Sequence, residues 1–306
     1  MSTVHIKHKG DRLYYAVLYT ILGLFCFTTL FPFIYSFVLS FNDGYDALRG
    51  GVYFWPRAFT LENYEMAFAH PQILTSFKVT VLRTLVTTAL SLLLTSLMAY
   101  GLSEKKLPGR TGIVFYFFFT TLFSGGLIPT YILYRQLGLI NNFWVFVLPG
   151  LFSFYNTVIM RTAFEGIHAS LLESARIDGA KELTIFARII IPLSLPVIAT
   201  IALFVGVGNW NDWFAGAFYI QFKKELVPAS TLLYQLISEA SFESTMSTTT
   251  GQMQANEALM MAKATGTTPE SLRLTFVIII VTPILMVYPF LQRYFVKGVM
   301  IGSIKG

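Results

Sequence analysis

Six stretches of the chain carry no charged side chain, and polar or charged residues separate them. The stretches are residues 13–42, 84–103, 111–134, 136–160, 189–211 and 274–292. Roughly 20 apolar residues in a helix cross the hydrocarbon core of a bilayer, so each stretch is long enough to span it once. Helix is the expected conformation because backbone polar groups in lipid need partners within their own segment. The pattern therefore predicts six transmembrane helices.

These helices organise the whole chain, residues 1–306, as a single transmembrane domain. The predicted spans cover about 14–41, 79–102, 112–134, 140–161, 192–217 and 274–294. The first stretch is about twice as long as the apolar region of a usual signal peptide, and no small-residue cleavage site follows it. We therefore interpret it as a retained membrane anchor.

The distribution of Lys and Arg predicts the orientation of the spans. If the N-terminus is cytoplasmic, the inner segments carry Lys and Arg at about twice the density of the outer segments, as the positive-inside rule expects. Both termini and the loop 165–192 are then inside. The long loops 43–76 and 218–273 are outside.

Composition supports an integral membrane protein and excludes other classes. Hydrophobic residues make up 55% of the chain and charged residues only 12%, whereas a soluble domain carries about a quarter charged residues. So apolar a chain is also not expected to be disordered. The single cysteine, Cys26, excludes an internal disulfide and a cysteine-based structural zinc site. The formal net charge of +6 could indicate nucleic acid, but the apolar stretches outweigh that interpretation.

The loop between the fourth and fifth spans carries signals for a helix, a turn and a second helix. Ser170 and Glu173 fit a capping box that starts a helix at about Leu171. Gly179 tolerates the left-handed conformation that ends a helix. Apolar residues then recur at helical spacing into Pro192. A helix of such mixed character could dock in a groove of another protein or rest on lipid headgroups.

This loop resembles the EAA loop of binding-protein-dependent ABC importer permeases. The family pattern is E-A-A-x3-G-x9-I-x-L-P, and the matching residues here are Glu173, Ala175, Gly179, Ile189 and Pro192. Ser174 and Ile191 depart from it but keep size or character. Asp178 to Ala180 read Asp-Gly-Ala, the form found in the sugar-importing members.

The resemblance extends over nearly the whole chain, to the LplC-type branch related to the maltose permease MalG. The segments that carry it are 42–44, 48–50, 125–131, 137–139, 295–298 and 304–306, together with Pro149, Asn156 and Arg161. It implies an all-α type I ABC importer permease fold with six transmembrane helices and a cytoplasmic coupling helix. It also implies import of a sugar, most consistent with an oligosaccharide, through the cell membrane of a bacterium.

The resemblance further implies which partners the chain has and which residues contact them. The partners are a second permease subunit in a heterodimer, an ABC ATPase dimer bound through the 165–192 loop, and an extracellular sugar-binding lipoprotein bound through the outer loops. The other expected partners are membrane lipid and the carbohydrate substrate. No nucleic acid partner is expected. The expected ATPase-coupling residues are Glu173, Ser174, Ala175, Asp178, Gly179 and Ala180. A C-terminal ATPase contact is expected at Lys297, Gly298, Lys305 and Gly306.

The chain itself lacks the signature of a nucleotide-binding subunit. No G-x-x-x-x-G-K-[ST] motif occurs in it, so ATP and Mg²⁺ are expected on the partner ATPase and no cofactor on this chain. We assign no catalytic residue and no metal ligand. The chain is thus expected to be a transport subunit, not an enzyme.

A polar and aromatic cluster at the end of the fifth span is the candidate substrate path. Its members are Asn209, Trp210, Asn211, Asp212 and Trp213. Amide and carboxylate groups can bind sugar hydroxyls, and indole rings can stack on the C–H face of a sugar. Alternatively, the polar groups bridge neighbouring helices while the tryptophans lie in the interfacial belt.

Lys78 and Arg83 lie at the start of the second span. Snorkelling to the lipid headgroups is the role we expect for both, and pairing with an anionic sugar is the alternative.

Two other classes of membrane protein remain as alternatives. A secondary carrier or channel for a small polar solute usually carries a relay of ionisable residues, and Asp212 alone offers that here. An intramembrane enzyme is disfavoured because all four histidines fall outside the spans and neither H-E-x-x-H nor G-x-S-x-G is present.

Overall fold

The computed structural model describes the backbone of residues 9–246, 260 and 265–302, and the side chains of 12–238, 260, 265–287 and 289. All regular elements in this part are helices, as the sequence predicts. In chain order they are α1 (Lys9–Ser40), α2 (Gly44–Ala47), α3 (Glu62–Ala69), α4 (Ile73–Ser103), α5 (Arg110–Leu122), α6 (Leu127–Gln136), α7 (Phe154–Glu165), α8 (Ala169–Ile177), α9 (Glu182–Ile185), α10 (Ile191–Leu193), α11 (Leu195–Asn211), α12 (Phe214–Tyr219), α13 (Ala229–Met246) and α14 (Pro269–Gly302). A π-helical segment, Phe186–Ile190, joins α9 to α10, and 3₁₀ turns lie at Phe143–Val145, Leu148–Gly150 and Lys224–Leu226.

Within this part of the chain, three helical segments are each long and apolar enough to cross a membrane. They are Arg12–Ser40, Ile73–Ser103 and Pro269–Val287. Three further pairs of helices meet this criterion only as bent pairs: Arg110–Leu122 with Leu127–Gln136 at 113°, Phe143–Gly150 with Phe154–Glu165 at 49°, and Glu182–Leu193 with Leu195–Asn211 at 80°. If each bent pair crosses once, the number of spans is six.

Prolines and a non-helical linker account for two of these bends. Ser194 separates α10 from α11 and lies between Pro192 and Pro196, neither of which can donate a backbone hydrogen bond to the preceding turn. Between α5 and α6 the four residues 123–126 are not helical. The absence of charge in these stretches predicts burial in lipid, but it does not predict where the backbone turns.

The chain divides into two compact units, and the first comprises Met1–His70 and Glu239–Ile279. Two buried asparagines organise its loop between α1 and α4. The side-chain oxygen of Asn42 accepts bonds from the backbone N–H groups of Arg57 (2.7 Å) and Ala58 (3.0 Å). Asn63 donates to the carbonyl oxygen of Asn42 at 2.9 Å. The loop is therefore fixed by buried polar contacts.

The second unit comprises Pro71–Ser238 and Ile280–Gly306 and contains both candidate sites. Helices α4, α7 and α11 pack together in it. Its apolar core is formed by Ala99, Met160, Phe164, Ile185, Phe186, Ile190 and Ile201. A row of small polar residues on α4 is also buried: Ser76, Thr80, Thr87, Ser91 and Thr95. Small side chains of this kind let apolar helices approach closely in a membrane.

Candidate coupling and substrate-path sites

The first half of the EAA loop forms the helix α8, which begins earlier than the sequence predicts. It starts at Ala169 after His168, and no side-chain capping bond forms there. The predicted capping box at Ser170 and Glu173 is therefore wrong. Ser170 already lies inside the first turn, where its carbonyl oxygen accepts a bond from the Ser174 hydroxyl at 2.9 Å.

The turn after α8 forms at Gly179, as predicted. Gly179 has a φ of +79°, the left-handed region that favours glycine. The Ala180 N–H donates to the Ala175 carbonyl at 3.0 Å, and the Gly179 N–H donates to the Arg176 carbonyl at 3.0 Å. These bonds satisfy carbonyl groups that the end of a helix leaves without partners.

Helix α8 has one face attached to the protein and one face exposed. Leu172 and Ala175 pack against the apolar core of the second unit. Glu173 is exposed, and 86% of the Ile177 surface is accessible. The outer face of α8 therefore presents both a charged and an apolar side chain to its surroundings.

Arg176 connects α8 to two other elements. Its Nε donates to Glu182 Oε1 at 2.9 Å, and its Nη2 donates to Glu104 Oε2 at 3.2 Å. Hydrogen bonds from the Tyr100 hydroxyl and from Arg176 lower the pKa of Glu182. The Lys106 N–H, followed by Arg176, lowers the pKa of Glu104. Both carboxylates are thus held in the charged form that Arg176 needs.

Two of the predicted substrate-path residues donate side-chain hydrogen bonds to backbone carbonyls. Helix α11 continues through Gly206 and Gly208 and ends at Asn211. The Asn209 amide donates to the Val205 carbonyl at 2.8 Å, and Trp210 Nε1 donates to the Ile280 carbonyl at 3.1 Å. These bonds attach both side chains to neighbouring backbone, while Asn211 and Trp213 are exposed.

Asp212 lies at the break between α11 and α12 and is only partly buried. Its Oδ1 accepts bonds from the N–H groups of Phe214 (3.0 Å) and Ala215 (3.2 Å), which caps α12. Its side chain is 38% exposed. The carboxylate therefore fixes the local backbone and still presents acceptor capacity on its open side.

Arg83 is the functional candidate whose sequence-based role is wrong. It is only 1% exposed and does not reach outward to headgroups. Its Nη2 donates to the Asp212 carbonyl at 2.5 Å, and its Nη1 lies 3.8 Å from Asp212 Oδ2. The guanidinium also lies over the Phe146 ring, 5.2 Å from the centroid. The nearby Asp212 carboxylate favours the burial of the Arg83 guanidinium, because an unpaired charge among apolar helices would be costly.

The beginning of α13 is attached to this same region, which the sequence did not indicate. The Ser230 hydroxyl donates to the Asp212 carbonyl at 2.8 Å, and the Thr231 hydroxyl donates to the Trp213 carbonyl at 2.8 Å. Tyr234 stacks on Trp213 with ring centroids 3.9 Å apart. These partners are separated from Asp212 and Trp213 by 18 to 21 residues of chain, so no local pattern connects them.

Close approach between α12 and α13 depends on Gly216. A Cβ at this position would lie 2.1 Å from Thr231 Oγ1 and 2.7 Å from Pro228 Cδ. Only a residue without a side chain fits this contact.

The predicted C-terminal contact is described only in part. Lys297 and Gly298 lie within α14, whereas Lys305 and Gly306 lie outside the described residues.

The long apolar helices and the bent apolar helix pairs are those of a multi-pass membrane protein. The chain belongs to the family of binding-protein-dependent transport system inner membrane components, whose model matches residues 110–301. This confirms the family predicted from the EAA loop.

Similarity to individual relatives covers almost the full chain. The polygalacturonan/rhamnogalacturonan transport system permease protein YtcP of Bacillus subtilis is 36% identical over 97% of this chain and 99% of its own length. Protein LplC of the same organism is 36% identical, with all of both chains covered. Among solved structures, a chain of a bacterial ABC transporter involved in import of the acidic polysaccharide alginate matches with a TM-score of 0.84 and 29% identity, covering 95% of this chain and 99% of that one.

Proposed function

We propose that this chain is one of two permease subunits of a bacterial ABC importer that carries an oligosaccharide into the cell. The observation that carries the proposal is end-to-end similarity to a polysaccharide transport permease, with 99% of that relative covered. ATP and Mg²⁺ would bind a separate ATPase dimer, and this chain would bind no cofactor of its own. The second permease would complete a heterodimer around the sugar pathway.

The substrate class we propose is an acidic oligosaccharide. The polygalacturonan/rhamnogalacturonan permease and the alginate importer are the relatives that support it, because uronic acid units are common to these polysaccharides. A sugar of this kind presents hydroxyls, apolar C–H faces and carboxylates. Its hydroxyls and C–H faces suit the mixture of polar and aromatic groups at Asn211, Asp212 and Trp213.

The proposed ATPase contact is the exposed face of α8 and the turn that follows it. This surface would comprise Glu173, Ser174, Asp178 and Gly179. Ala175 and Ala180 are half-buried against the apolar core, so they would hold the helix and its turn in place beneath that surface. Exposed Ile177 would supply an apolar anchor for a groove on the ATPase. Since Leu172 and Ala175 of α8 pack against the apolar core that α4, α7 and α11 share, a pull on α8 would reach these helices through that core.

The proposed substrate path keeps all five residues of the Asn209–Trp213 segment but gives them different roles. Asn211, Asp212 and Trp213 would contact sugar, because their side chains are at least partly accessible. Asn209 and Trp210 would shape the path through their bonds to backbone carbonyls.

The remaining contacts follow from the proposed orientation, in which both termini are cytoplasmic. An extracellular sugar-binding lipoprotein would dock on the loops 43–76 and 218–273. The C-terminal residues Lys297, Gly298, Lys305 and Gly306 would reach the ATPase. Truncation after Phe295 should then weaken the coupling of hydrolysis to transport.

The test is ATPase activity of the reconstituted four-component transporter carrying Glu173→Arg. Trigalacturonate is the acidic probe, and maltotriose is the neutral one. We expect trigalacturonate with binding protein to stimulate the wild type and Lys105→Glu, a charge reversal at an exposed residue of a different loop, but not Glu173→Arg. Unimpaired assembly and stimulation in Glu173→Arg would contradict the coupling surface. Stimulation by maltotriose alone would contradict the acidic substrate.

A further inference from the structure

The buried guanidinium of Arg83 joins three segments that the sequence keeps far apart. It belongs to α4, and its Nη2 donates both to the Asp212 carbonyl (2.5 Å) and to the Ser230 hydroxyl (3.2 Å). The Ser230 hydroxyl in turn donates to the same carbonyl at 2.8 Å. A closed triangle of bonds therefore connects α4, the end of α11 and the beginning of α13.

Neighbouring contacts make the beginning of α13 rigid relative to this triangle. The Ala229 N–H donates to Thr80 Oγ1 at 2.8 Å, one turn before Arg83 on α4. Thr231 donates to the Trp213 carbonyl at 2.8 Å. Displacement of α13 would therefore act on Asp212 and Trp213 directly, through bonds rather than through loose packing.

Arg83 also has donor capacity that this arrangement does not use. Its Nε has no hydrogen-bond partner among the described residues, although it is buried. Its Nη1 lies 3.8 Å from Asp212 Oδ2, close enough for attraction but too far for a hydrogen bond. A movement of the carboxylate toward Arg83 would form that bond. The position of the Asp212 carboxylate is therefore coupled to Arg83 by attraction at 3.8 Å, without a direct side-chain hydrogen bond.

We propose that Arg83 is a positioning residue that passes movement of α13 to the Asp212 carboxylate. Since α13 lies in the 218–273 loop, docking of the binding protein on that loop would change how Asp212 is presented to sugar. This inference rests on the proposed function, because it assumes that the binding protein docks there. It assigns new roles to Arg83 and Ser230, neither of which touches sugar.

The experiment compares Ser230→Ala, Ser230→Thr and Arg83→Lys in the complete transporter reconstituted in nanodiscs. Ser230→Ala removes only the hydroxyl, and Ser230→Thr retains one. Arg83→Lys retains the charge but cannot donate to two acceptors in the fork geometry of Arg. Leu82→Met is the control on the same helix, because Leu82 adjoins Arg83 in sequence and is 52% exposed.

Two measurements are made on each variant. The first is the ratio of ATPase rates with and without the binding protein loaded with trigalacturonate. We expect this ratio to fall about tenfold in Ser230→Ala and in Arg83→Lys, the size of an ordinary coupling effect, and to remain at the wild-type level in Ser230→Thr and Leu82→Met. The double variant Ser230→Ala with Arg83→Lys should show a ratio no lower than that of the more severely affected single variant, because both residues act through the same set of bonds.

The second measurement is amide hydrogen exchange at Phe214 and Ala215, whose N–H groups bond to Asp212 Oδ1. Binding protein should change this exchange in the wild type and in Ser230→Thr, but not in Ser230→Ala. Wild-type ratios and exchange responses in both Ser230→Ala and Arg83→Lys would overturn the proposal. If Arg83→Lys does not assemble, Ser230→Ala decides the question alone.

These two measurements separate failure of this inference from failure of the proposed function. If no binding protein stimulates even the wild type, the proposed function fails. Amide exchange at Phe214 and Ala215 can still be compared between wild type and Ser230→Ala in the absence of binding protein. If these amides are equally protected in the two proteins, the link from Ser230 to Asp212 is overturned.

Discussion

Arg176 Nη2 lies 3.2 Å from Glu104 Oε2, so the proposed ATPase-coupling helix is bonded to the end of α4 as well as packed on the apolar core. The two residues are 72 positions apart. This bond joins α8 to the end of the long helix that carries Arg83 in its first half. We expect movement of α8 to reach α4 through it.

The first prediction is that Arg176→Ala uncouples ATP hydrolysis from transport without unfolding the protein. Arg176 and Glu104 are 41% and 43% exposed, and an exposed ion pair contributes less than about 1 kcal/mol to stability. The number of sugars imported per ATP should fall, while the thermal unfolding midpoint changes little. The measurements are uptake and ATPase rate in the same proteoliposomes.

The control for this variant is Arg188→Ala, which removes another exposed Arg from the same loop. A double-mutant cycle with Glu104→Ala should be non-additive, since both changes break one contact. If Arg176→Ala imports as many sugars per ATP as wild type, the ion pair plays no part in coupling. The same conclusion follows if the effects of the two substitutions on this number are additive.

The second prediction concerns the pH dependence of the Glu104 contact. The Lys106 N–H and the Arg176 guanidinium keep the pKa of Glu104 below its ordinary value of 4.5. The stabilisation is therefore fully present above about pH 4.5 and is lost as the pH falls through the lowered folded-state value. Glu104→Gln should be less stable than wild type at pH 7, by less than about 1 kcal/mol because the site is exposed.

The measurement for this prediction is the unfolding midpoint in detergent between pH 3 and pH 7.5. The difference between wild type and Glu104→Gln should shrink only at the acid end of this range. Lys105→Gln controls for a change of net charge at the neighbouring position. A difference that shrinks between pH 6 and pH 7 would contradict the assignment to Glu104.

Local features of this fold could be predicted from sequence because their causes are local. The charge-free stretches predict apolar helices, and the structure contains long helices at Lys9–Ser40, Ile73–Ser103 and Pro269–Gly302. Gly179 was predicted to end a helix because few other residues tolerate the left-handed conformation, and its φ is +79°. The EAA spacing identified the family for a similar reason, since the whole motif lies within 20 residues.

Contacts across long stretches of chain could not be predicted in this way. Arg83 lies 129 residues before its partner Asp212, and each alone has an ordinary interpretation as a membrane-edge charge. The available signal was that both charges fall inside predicted spans, where unpaired charges are costly. The roles of Ser230 and Tyr234 left no such signal, because a serine and a tyrosine are unremarkable in a loop.

The third prediction is that Gly216→Ala destabilises the junction of α12 and α13. The added Cβ would lie 2.1 Å from Thr231 Oγ1, so α13 would have to move away. Overpacking of this kind costs about 1–3 kcal/mol. The unfolding midpoint should fall, and amide exchange at residues 229–234 should rise.

The matched control for this variant is Gly208→Ala on α11. A Cβ at Gly208 meets nothing within 4 Å, and alanine is favoured over glycine inside a helix by about 1 kcal/mol. The midpoint of Gly208→Ala should therefore stay the same or rise. If the unfolding midpoint falls equally in both variants, the close contact at Gly216 is not the cause of the destabilisation.

The fourth prediction separates the two tryptophans of the proposed substrate path. Trp213 is 38% exposed and stacked on Tyr234, whereas Trp210 donates its indole N–H to the Ile280 carbonyl. Trp213→Ala should raise the KM for trigalacturonate uptake about three- to tenfold, because an aromatic stacking contact contributes about 0.5–1.5 kcal/mol. Trp210→Phe should leave KM nearly unchanged and lower stability by about 1–3 kcal/mol, because the Ile280 carbonyl loses its donor.

Tyr234 provides the internal controls for this prediction. Tyr234→Phe retains the ring that stacks on Trp213 and should keep the wild-type KM, whereas Tyr234→Ala should raise KM in the same direction as Trp213→Ala. Uptake kinetics in proteoliposomes and thermal unfolding in detergent measure the two effects separately. If Trp213→Ala lowers only stability and Trp210→Phe raises only KM, the two residues have exchanged roles, and sugar would contact the side of α11 that carries Trp210.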